Sequence, residues 1–183
     1  MRRKYILQVL VVAVLIGLGG YTYLGGWRGV NYETVTLEEP YTLVGIAYEG
    51  KYDNPQVERN FRAIKAYIEQ GTLEGTFAVV YWKHPEDYDG LIDQMMGVLY
   101  PASQVPAELP QDLTARALPG HQVVRATLTS HVAVMPAPGK VRRRMHDFAQ
   151  TQGLRLDSIS YEKLIGDWHL EVEMPVIPNA QTP

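Results

Sequence analysis

Residues 41–71 read YTLVGIAYEGKYDNPQVERNFRAIKAYIEQG and join a predicted strand to an amphipathic helix, the unit from which the fold is built. The β-rich run from Tyr41 to Tyr48 predicts the strand, and residues 53–55 supply an N-cap and a first-turn proline. Four apolar side chains then recur at helical spacing and form one stripe: Val57, Phe61, Ile64 and Ile68. We therefore expect a helix that ends near Gly71 and packs on a sheet by this stripe.

Outward from this unit, the same order of elements occurs twice along the chain. Two short β-rich runs complete the first unit, which reads strand, helix, strand, strand: Phe77 to Trp82 and Met95 to Tyr100. The second unit has the matching set: His121 to Leu128, a helix over Gly139 to Gly153, Ser158 to Leu164, and Leu170 to Met174. Equivalent positions, such as Tyr81 and Tyr161, lie about eighty residues apart, which indicates an internal duplication.

Two such units predict an α+β fold. Each βαββ unit alone leaves one face of its strands uncovered, so we expect the units to pair edge to edge in one mainly antiparallel sheet. Both helices are predicted on one face, and the concave opposite face is predicted to form a central cleft between the repeats.

The chain begins with a cationic and then apolar segment. Three cations at positions 2–4 precede the uncharged stretch from Tyr5 to Leu24. This pattern predicts a transmembrane helix within residues 1–28, with the N-terminus cytoplasmic and the body extracytoplasmic, because positive residues stay inside. A cleaved signal sequence is the alternative, and it would leave the body secreted or periplasmic.

Composition limits the remaining chain to one folded domain. Of 183 residues, 46% are hydrophobic and 20% are charged, a balance typical of a domain with a sizeable core. We predict this domain over residues 34–177, with repeats at about 37–101 and 117–176, and a disordered tail over 178–183. The net charge of -3 argues against nucleic acid as a partner, and the absence of cysteine excludes disulfides and thiolate metal sites.

Short pieces of the body carry a resemblance to a known family. In chain order they are Val44-Gly45, Tyr81-Trp82 followed by His84-Pro85-Glu86-Asp87, Leu118-Pro119-Gly120, Tyr161-Glu162, and Glu173-Met174-Pro175-Val176. In order and spacing they resemble the GyrI-like domain, the ligand-binding fold of gyrase-inhibitor-like proteins and of some multidrug transcription regulators. The resemblance spans residues 37–176 and implies a duplicated fold with a ligand cleft between the halves. It also implies that Glu162 is the acid of the pocket.

Glu162 is also the first candidate on physical grounds, since a carboxylate inside a β-rich run is costly to bury unless it is paired or binds a ligand. Strand alternation places Ser160 with Glu162 on one face, and we expect this face to line the cleft while Tyr161 faces the helices. A shift by the repeat period makes Trp82 the equivalent of Glu162, so the two are predicted to meet across the pseudo-twofold axis. The alternative for Glu162 is a surface glutamate on an edge strand.

Three further aromatic residues are candidate ligand contacts, with simple packing as the alternative for each: Tyr48, Tyr100 and Trp168. The five histidines show no metal-type spacing, so we predict neither a metal nor another cofactor. The cationic run Arg142 to Arg144 lies on a predicted helix and is interpreted as a solvated face.

These residues support three functions of different classes. The first is a membrane-anchored binding protein that holds a small apolar, amphipathic or cationic molecule in the cleft. The second is a hydrolase of electrophilic small molecules that uses Glu162 as acid or base, an activity that the GyrI-like resemblance implies. The third is a membrane-tethered protein-interaction module that uses the helix of Arg142 to Arg144 or an exposed strand. The sequence therefore leaves open whether the protein is an enzyme, and it indicates no particular protein partner.

Overall fold

The computed structural model describes residues 14–26, 28–166 and 168–178. Helix α1 covers residues 14–23 of this part, and two longer helices follow, α2 (Pro55–Glu69) and α3 (Pro138–Thr151). Eight strands complete the fold: β1 (Asn31–Thr36), β2 (Tyr41–Lys51), β3 (Thr76–Lys83), β4 (Leu91–Pro101), β5 (Thr114–Ala117), β6 (Gln122–Leu128), β7 (Ser160–Gly166) and β8 (His169–Pro175).

All eight strands form one antiparallel sheet in the order β1-β6-β8-β7-β3-β4-β2-β5. The first unit is β2-α2-β3-β4 and the second is β6-α3-β7-β8, so the predicted order of elements recurs as expected. The two units join through the β3–β7 pair, where Val80 lies opposite Tyr161. The predicted α+β fold, with its units paired edge to edge, is confirmed.

Strands β1 and β5 are absent from the predicted order. Strand β1 precedes the first unit but pairs with β6 of the second, whereas β5 follows the first unit and pairs with β2. Both are edge strands, and no side chain of β5 is buried. Their sequences, NYETVT and TARA, therefore lack the alternation of apolar and polar residues that indicates a half-buried strand.

Local sequence explains where the two longer helices begin and which face they cover. The Asn54 side chain accepts a hydrogen bond of 2.8 Å from the Gln56 N–H, and a proline opens each helix. Helix α2 buries Ile64 against β2 and β4, and α3 buries Met145 against β6 and β8. Both lie on the same face of the sheet, as predicted, and we call it the helix face.

The opposite face is concave but filled, so the cleft predicted there is wrong. Tyr41 of β2 packs on Tyr161 of β7 with ring centroids 6.5 Å apart, although two strands separate them in the sheet. The sheet must curl around this face to bring them together. Tyr161 is fully buried there with Leu43 and Leu118, and its hydroxyl donates to the Pro119 carbonyl at 2.7 Å. Large side chains thus turn the expected cleft into a core layer.

A buried ion-pair network extends this concave layer. Glu173, which is fully buried, accepts hydrogen bonds of 2.7 Å from both Lys163 and Arg125. Lys163 also lies 2.7 Å from Glu171. Burial alone would lower the pKa of Lys163, but Glu173 and Glu171 outweigh that effect and raise it. Lys163 and Arg125, whose pKa values are both raised, therefore stay charged at neutral pH, and the buried Glu173 lies between them.

Two glycines face each other where β2 and β4 approach closely. A methyl group at Gly45 would overlap the Met96 carbonyl oxygen, and one at Gly97 would overlap that of Val44. We expect Gly97→Ala to lower the free energy of unfolding by at least about 3 kcal/mol, because the backbone itself must move to admit the methyl group. Urea denaturation measures this loss. Gly166→Ala is the matched control, since open space surrounds Gly166, and an equal loss in both variants would contradict the close approach.

The described residues contain no helix that is long and apolar enough to cross a membrane. Residues 1–13 and 27 of the predicted anchor lie outside the described part, so the anchor stays a prediction. Residues 179–183 of the predicted tail lie outside it as well.

Candidate functional site: a trough between the two helices

A shallow trough runs along the centre of the helix face. Helix-facing side chains of the flanking strands, such as Val98 and Val124, are fully buried beneath α2 and α3. Ser160 of β7 is also fully buried, but the other helix-facing side chains of the central strands β3 and β7 between Phe77 and Tyr81 and between Glu162 and Leu164 are partly covered or exposed. We define the trough by five of these side chains: Phe77, Val79 and Tyr81 on β3, and Glu162 and Leu164 on β7.

The trough has an apolar end and a polar end. At the apolar end Phe77 lies opposite Leu164, and Phe61 of α2 packs edge-on against Phe77 at 5.4 Å. At the polar end Tyr81 lies opposite Ser160, close to α3 and the β3–β4 loop. Glu162 lies between the two ends, so the trough is suited to a molecule that is apolar at one end and charged near the other.

Glu162 is half-buried and makes no hydrogen bond or ion pair with any other described residue. Burial among protein atoms raises the pKa of its carboxyl to about 7; the nearby Arg142 opposes this rise and Glu86 adds to it. Glu162 can therefore carry either charge state near neutral pH.

Arg142 of α3 closes the polar end, and its interpretation as part of a solvated face is wrong. The residue is only 7% exposed, because the β3–β4 loop brings two carboxylates onto it. Its Nη2 lies 3.1 Å from Asp87 and 3.4 Å from Glu86. Its Nη1 is buried and has no hydrogen-bond acceptor within the described ranges. In the sequence, the adjacent acidic residues Glu86 and Asp87 are the feature that could have indicated an ion pair with one of the three arginines at 142–144.

Tyr81 and His84 form an aromatic pair beside Glu162. Their rings stack with centroids 5.2 Å apart. Burial and then the charge of Glu162 raise the pKa of the Tyr81 hydroxyl, so it keeps its proton. Burial and then Arg142 lower the pKa of His84, whose Nε2 lies 3.3 Å from the Ser158 carbonyl and 3.4 Å from the Ser160 hydroxyl. The buried, neutral His84 therefore supports the ring of the partly exposed Tyr81, which presents an uncharged aromatic surface next to the acid.

Trp82 does not meet Glu162, contrary to the prediction. It lies on the concave face, packed on the core there, with the Arg116 guanidinium 3.7 Å above its ring. In the β3–β7 register Val79 lies opposite Glu162, and Tyr81 lies opposite Ser160. Successive residues of a strand point to opposite faces, so Tyr81, one residue before Trp82, is the aromatic residue of β3 on the face of Glu162. The predicted faces of β7 are also reversed: Tyr161 lies on the concave face, and Glu162 and Ser160 lie on the helix face.

The other predicted aromatic contacts lie apart from Glu162. Tyr100 is buried beneath α2, and its hydroxyl accepts a hydrogen bond of 3.1 Å from the Glu74 N–H. Tyr48 lies on the helix face but on β2, and two strands separate it from β7. Trp168 lies in the β7–β8 turn, 38% exposed, beyond the apolar end of the trough. Of the six predicted site residues, the structure brings only Glu162 and Ser160 together.

A second depression adjoins the polar end. It is a groove of about 680 Å³ between α3 and the β3–β4 loop, and Arg142 and Glu86 form the wall that it shares with the trough. Lys140, Arg143 and His146 line its far side. Among the described residues, no cluster of histidines and carboxylates is arranged to hold a metal ion.

No protein-family model matches the chain, and no curated protein matches it. Three solved structures share its arrangement of strands and helices. An uncharacterized conserved protein from Listeria innocua is 13% identical, with a TM-score of 0.56 over 80% of this chain and 92% of that one. A hydrolase from Listeria innocua is also 13% identical, with a TM-score of 0.54 over the same shares. EcmrR, in a complex with DNA, is 10% identical, with a TM-score of 0.57 over 97% of this chain and 71% of that one. At these identities the likeness is one of fold: the chain shares the fold of these three proteins.

Proposed function

We propose that this protein binds a small amphipathic cation in the trough, with Glu162 as the counter-charge. The observation that carries the proposal is that Glu162 lies on the trough floor and has no hydrogen-bond or ion-pair partner among the residues that the structure describes. A buried carboxylate without a partner is costly, and a bound cation would remove that cost. This arrangement is also what the GyrI-like resemblance implies for the same residue.

The charges around Glu162 favour a cation over an anion. Arg142 is the positive group that acts on its carboxyl, and Glu86 and Asp87 together more than neutralise that charge. The polar end therefore has an excess of negative charge, to which an ionised Glu162 adds. Tyr81 offers an aromatic face close to Glu162, the role that the sequence assigned to Trp82, and aromatic faces attract cations. Phe77 and Leu164 would receive the apolar part of the ligand.

We also propose that the protein works at a membrane, because amphipathic cations concentrate there. The uncharged stretch from Tyr5 to Leu24, preceded by three cations, supports an N-terminal anchor with the body on the extracytoplasmic side.

Calorimetric titration with tetraphenylphosphonium tests the binding proposal, with the neutral triphenylphosphine oxide as a matched ligand. At pH 8 we expect the cation to bind and Glu162→Gln to weaken binding by at least about tenfold, since opposite charges about 6–8 Å apart attract by about 2–3 kcal/mol at an effective dielectric constant of about 20. Binding of the neutral ligand should be equal in both proteins. Glu58→Gln on the exposed face of α2 is the control variant, because Glu58 lies outside the trough. Equal cation affinity in wild type and Glu162→Gln would exclude Glu162 as the counter-charge.

Hydrolysis of an electrophilic small molecule is the second candidate function. It is favoured by the pKa of Glu162, because a group with a pKa of about 7 can both take up and release a proton near neutral pH. One of the structures with the same fold is that of a hydrolase. Incubation with styrene oxide tests this function, because water adds to an epoxide to give one product, the diol, whereas the two titration ligands do not add water. Mass spectrometry should then show a product one water heavier only when Glu162 is present, and a protein that only binds would return the epoxide unchanged.

A further inference from the structure

An apolar surface lies at the tip of the β7–β8 hairpin and continues onto α1. Four exposed side chains compose it, and we call them the tip surface: Tyr23, Leu164, Ile165 and Trp168, which are 80%, 46%, 49% and 38% exposed. Adjacent apolar side chains with this degree of exposure are uncommon on the surfaces of monomeric soluble proteins unless something covers them.

Contacts between α1 and the body fix this surface in place. The Tyr23 ring meets the Trp168 ring edge-on at 6.3 Å, and His131 contacts the other side of Trp168 at 5.0 Å. The His131 N–H donates to the Leu24 carbonyl at 3.0 Å, so the chain leaving α1 is tied to the loop after β6. Arg28 adds a hydrogen bond of 2.9 Å to the Thr129 carbonyl. The end of α1 is therefore held against the hairpin tip.

The described part of α1 is itself apolar and uncovered. Four aliphatic side chains of α1 are exposed by about half or more: Val14, Leu15, Ile16 and Leu18. The preceding residues 5–13 are uncharged in sequence. The tip surface therefore continues an apolar segment, and it carries two aromatic rings and one cation, Arg28, where that segment meets the body. Aromatic rings with a nearby cation at the end of an apolar helix are typical of the boundary between lipid and water.

We propose that the tip surface contacts the lipid bilayer, so that the β7–β8 hairpin lies on the membrane beside α1. This inference does not depend on ligand binding in the trough, but it rests on the proposed location of the protein at a membrane. The orientation has a direct geometric consequence. Leu164 belongs to both the tip surface and the apolar end of the trough. Glu162 precedes it by two residues in β7 and therefore lies about 7 Å farther from the hairpin tip. The apolar end of the trough therefore opens at the membrane, and the acid lies away from it.

Spin labels test this orientation in the full-length chain, which has no native cysteine to compete for labelling. Ile165→Cys reports on the tip surface, and Tyr88→Cys, also exposed, reports on the β3–β4 loop at the opposite end of the sheet. Each labelled protein is reconstituted in vesicles of phosphatidylcholine and phosphatidylglycerol. Collisions with oxygen, which concentrates in lipid, are then compared with collisions with a nickel chelate, which stays in water.

We expect the label at position 165 to become more accessible to oxygen and less accessible to nickel when vesicles are added, while the label at position 88 stays accessible to nickel. Nickel access at position 165 in vesicle-bound protein would overturn the proposal, since α1 alone would then hold the membrane. Protection of position 165 without vesicles would also overturn it, because another protein or a second copy would then cover the tip. Failure of the full chain to bind vesicles would be equally decisive against it. None of these results bears on the titrations of Glu162.

Discussion

Lowering the pH from 8 to 5 is expected to weaken the binding of tetraphenylphosphonium to the wild-type protein by about a hundredfold. The pKa of Glu162 is raised to about 7, so the carboxylate is mostly ionised at pH 8, and only about one molecule in a hundred carries it at pH 5. If only the ionised form attracts the cation, the apparent affinity follows this fraction. Calorimetric titrations at half-unit steps of pH measure the dependence, and Glu162→Gln should bind weakly and equally at every pH.

The stability of Glu162→Gln gives an independent check. The substitution is expected to weaken cation binding but to raise the free energy of unfolding. Folding raises the pKa of Glu162, so the protonated side chain stabilises the folded state. This stabilisation is complete below the unfolded pKa of 4.5 and is lost as the pH rises through about 7. Glu162→Gln stays neutral, so at pH 8 it should be more stable than the wild type by about 2 kcal/mol, allowing for the partial exposure of the side chain. Weaker binding with higher stability would identify a residue retained for function. Destabilisation of the variant at pH 8 would contradict the unpaired carboxylate.

Replacing Glu173 by glutamine is expected to cause a large loss of stability. The variant keeps the shape of the side chain but removes the charge that Lys163 and Arg125 share, leaving both cations with Glu171 as their close carboxylate. Breaking a buried ion pair costs about 3–5 kcal/mol, and we expect about 3 kcal/mol because Glu171 compensates in part. The midpoint of urea denaturation at neutral pH reports the change.

Glu33→Gln is the matched control for Glu173→Gln, because Glu33 is also paired with Arg125. It lies 3.8 Å from the guanidinium and its side chain is 49% exposed, so its removal should change stability by less than about 0.5 kcal/mol. Similar losses in the two variants would mean that burial does not strengthen this network.

The repeated unit could be predicted because its periodicities are strong. The stripe of α2 and the alternation in β2 and β3 place apolar residues at the spacing of their own element, and the structure has these elements within a few residues of the predicted bounds. Strands β1 and β5 could not be predicted in the same way. Each gains its place by pairing with a distant strand, β6 or β2, and neither has a buried face to leave a pattern. Long-range pairing of polar edges leaves little trace in a single sequence.

The sequence predicted the acidic residue of the candidate site, Glu162, but not the residues around it. Alternation correctly placed Ser160 with Glu162, but the face was chosen on the expectation that Tyr161 packs against the helices, and the structure has the reverse. The aromatic residue of β3 on the face of Glu162 is Tyr81, one residue before the predicted Trp82. Arg142 was missed because a run of three arginines looks alike in sequence. Only the fold of the β3–β4 loop shows which of them is covered by Glu86 and Asp87.

The pairing of β1 with β6 also determines how the domain would bear a mechanical load. Strands β1 and β8 flank β6 and run parallel to each other, so the start of β1 and the end of β8 lie at opposite ends of this three-stranded group. Tension between the two ends of the domain would therefore slide the strands along one another. The six paired positions between β1 and β6 would share that load together instead of opening one after another, because their hydrogen bonds lie across the direction of pull. Strand β1, which the sequence did not predict, is thus the element that transmits any pull on the N-terminal segment to the sheet.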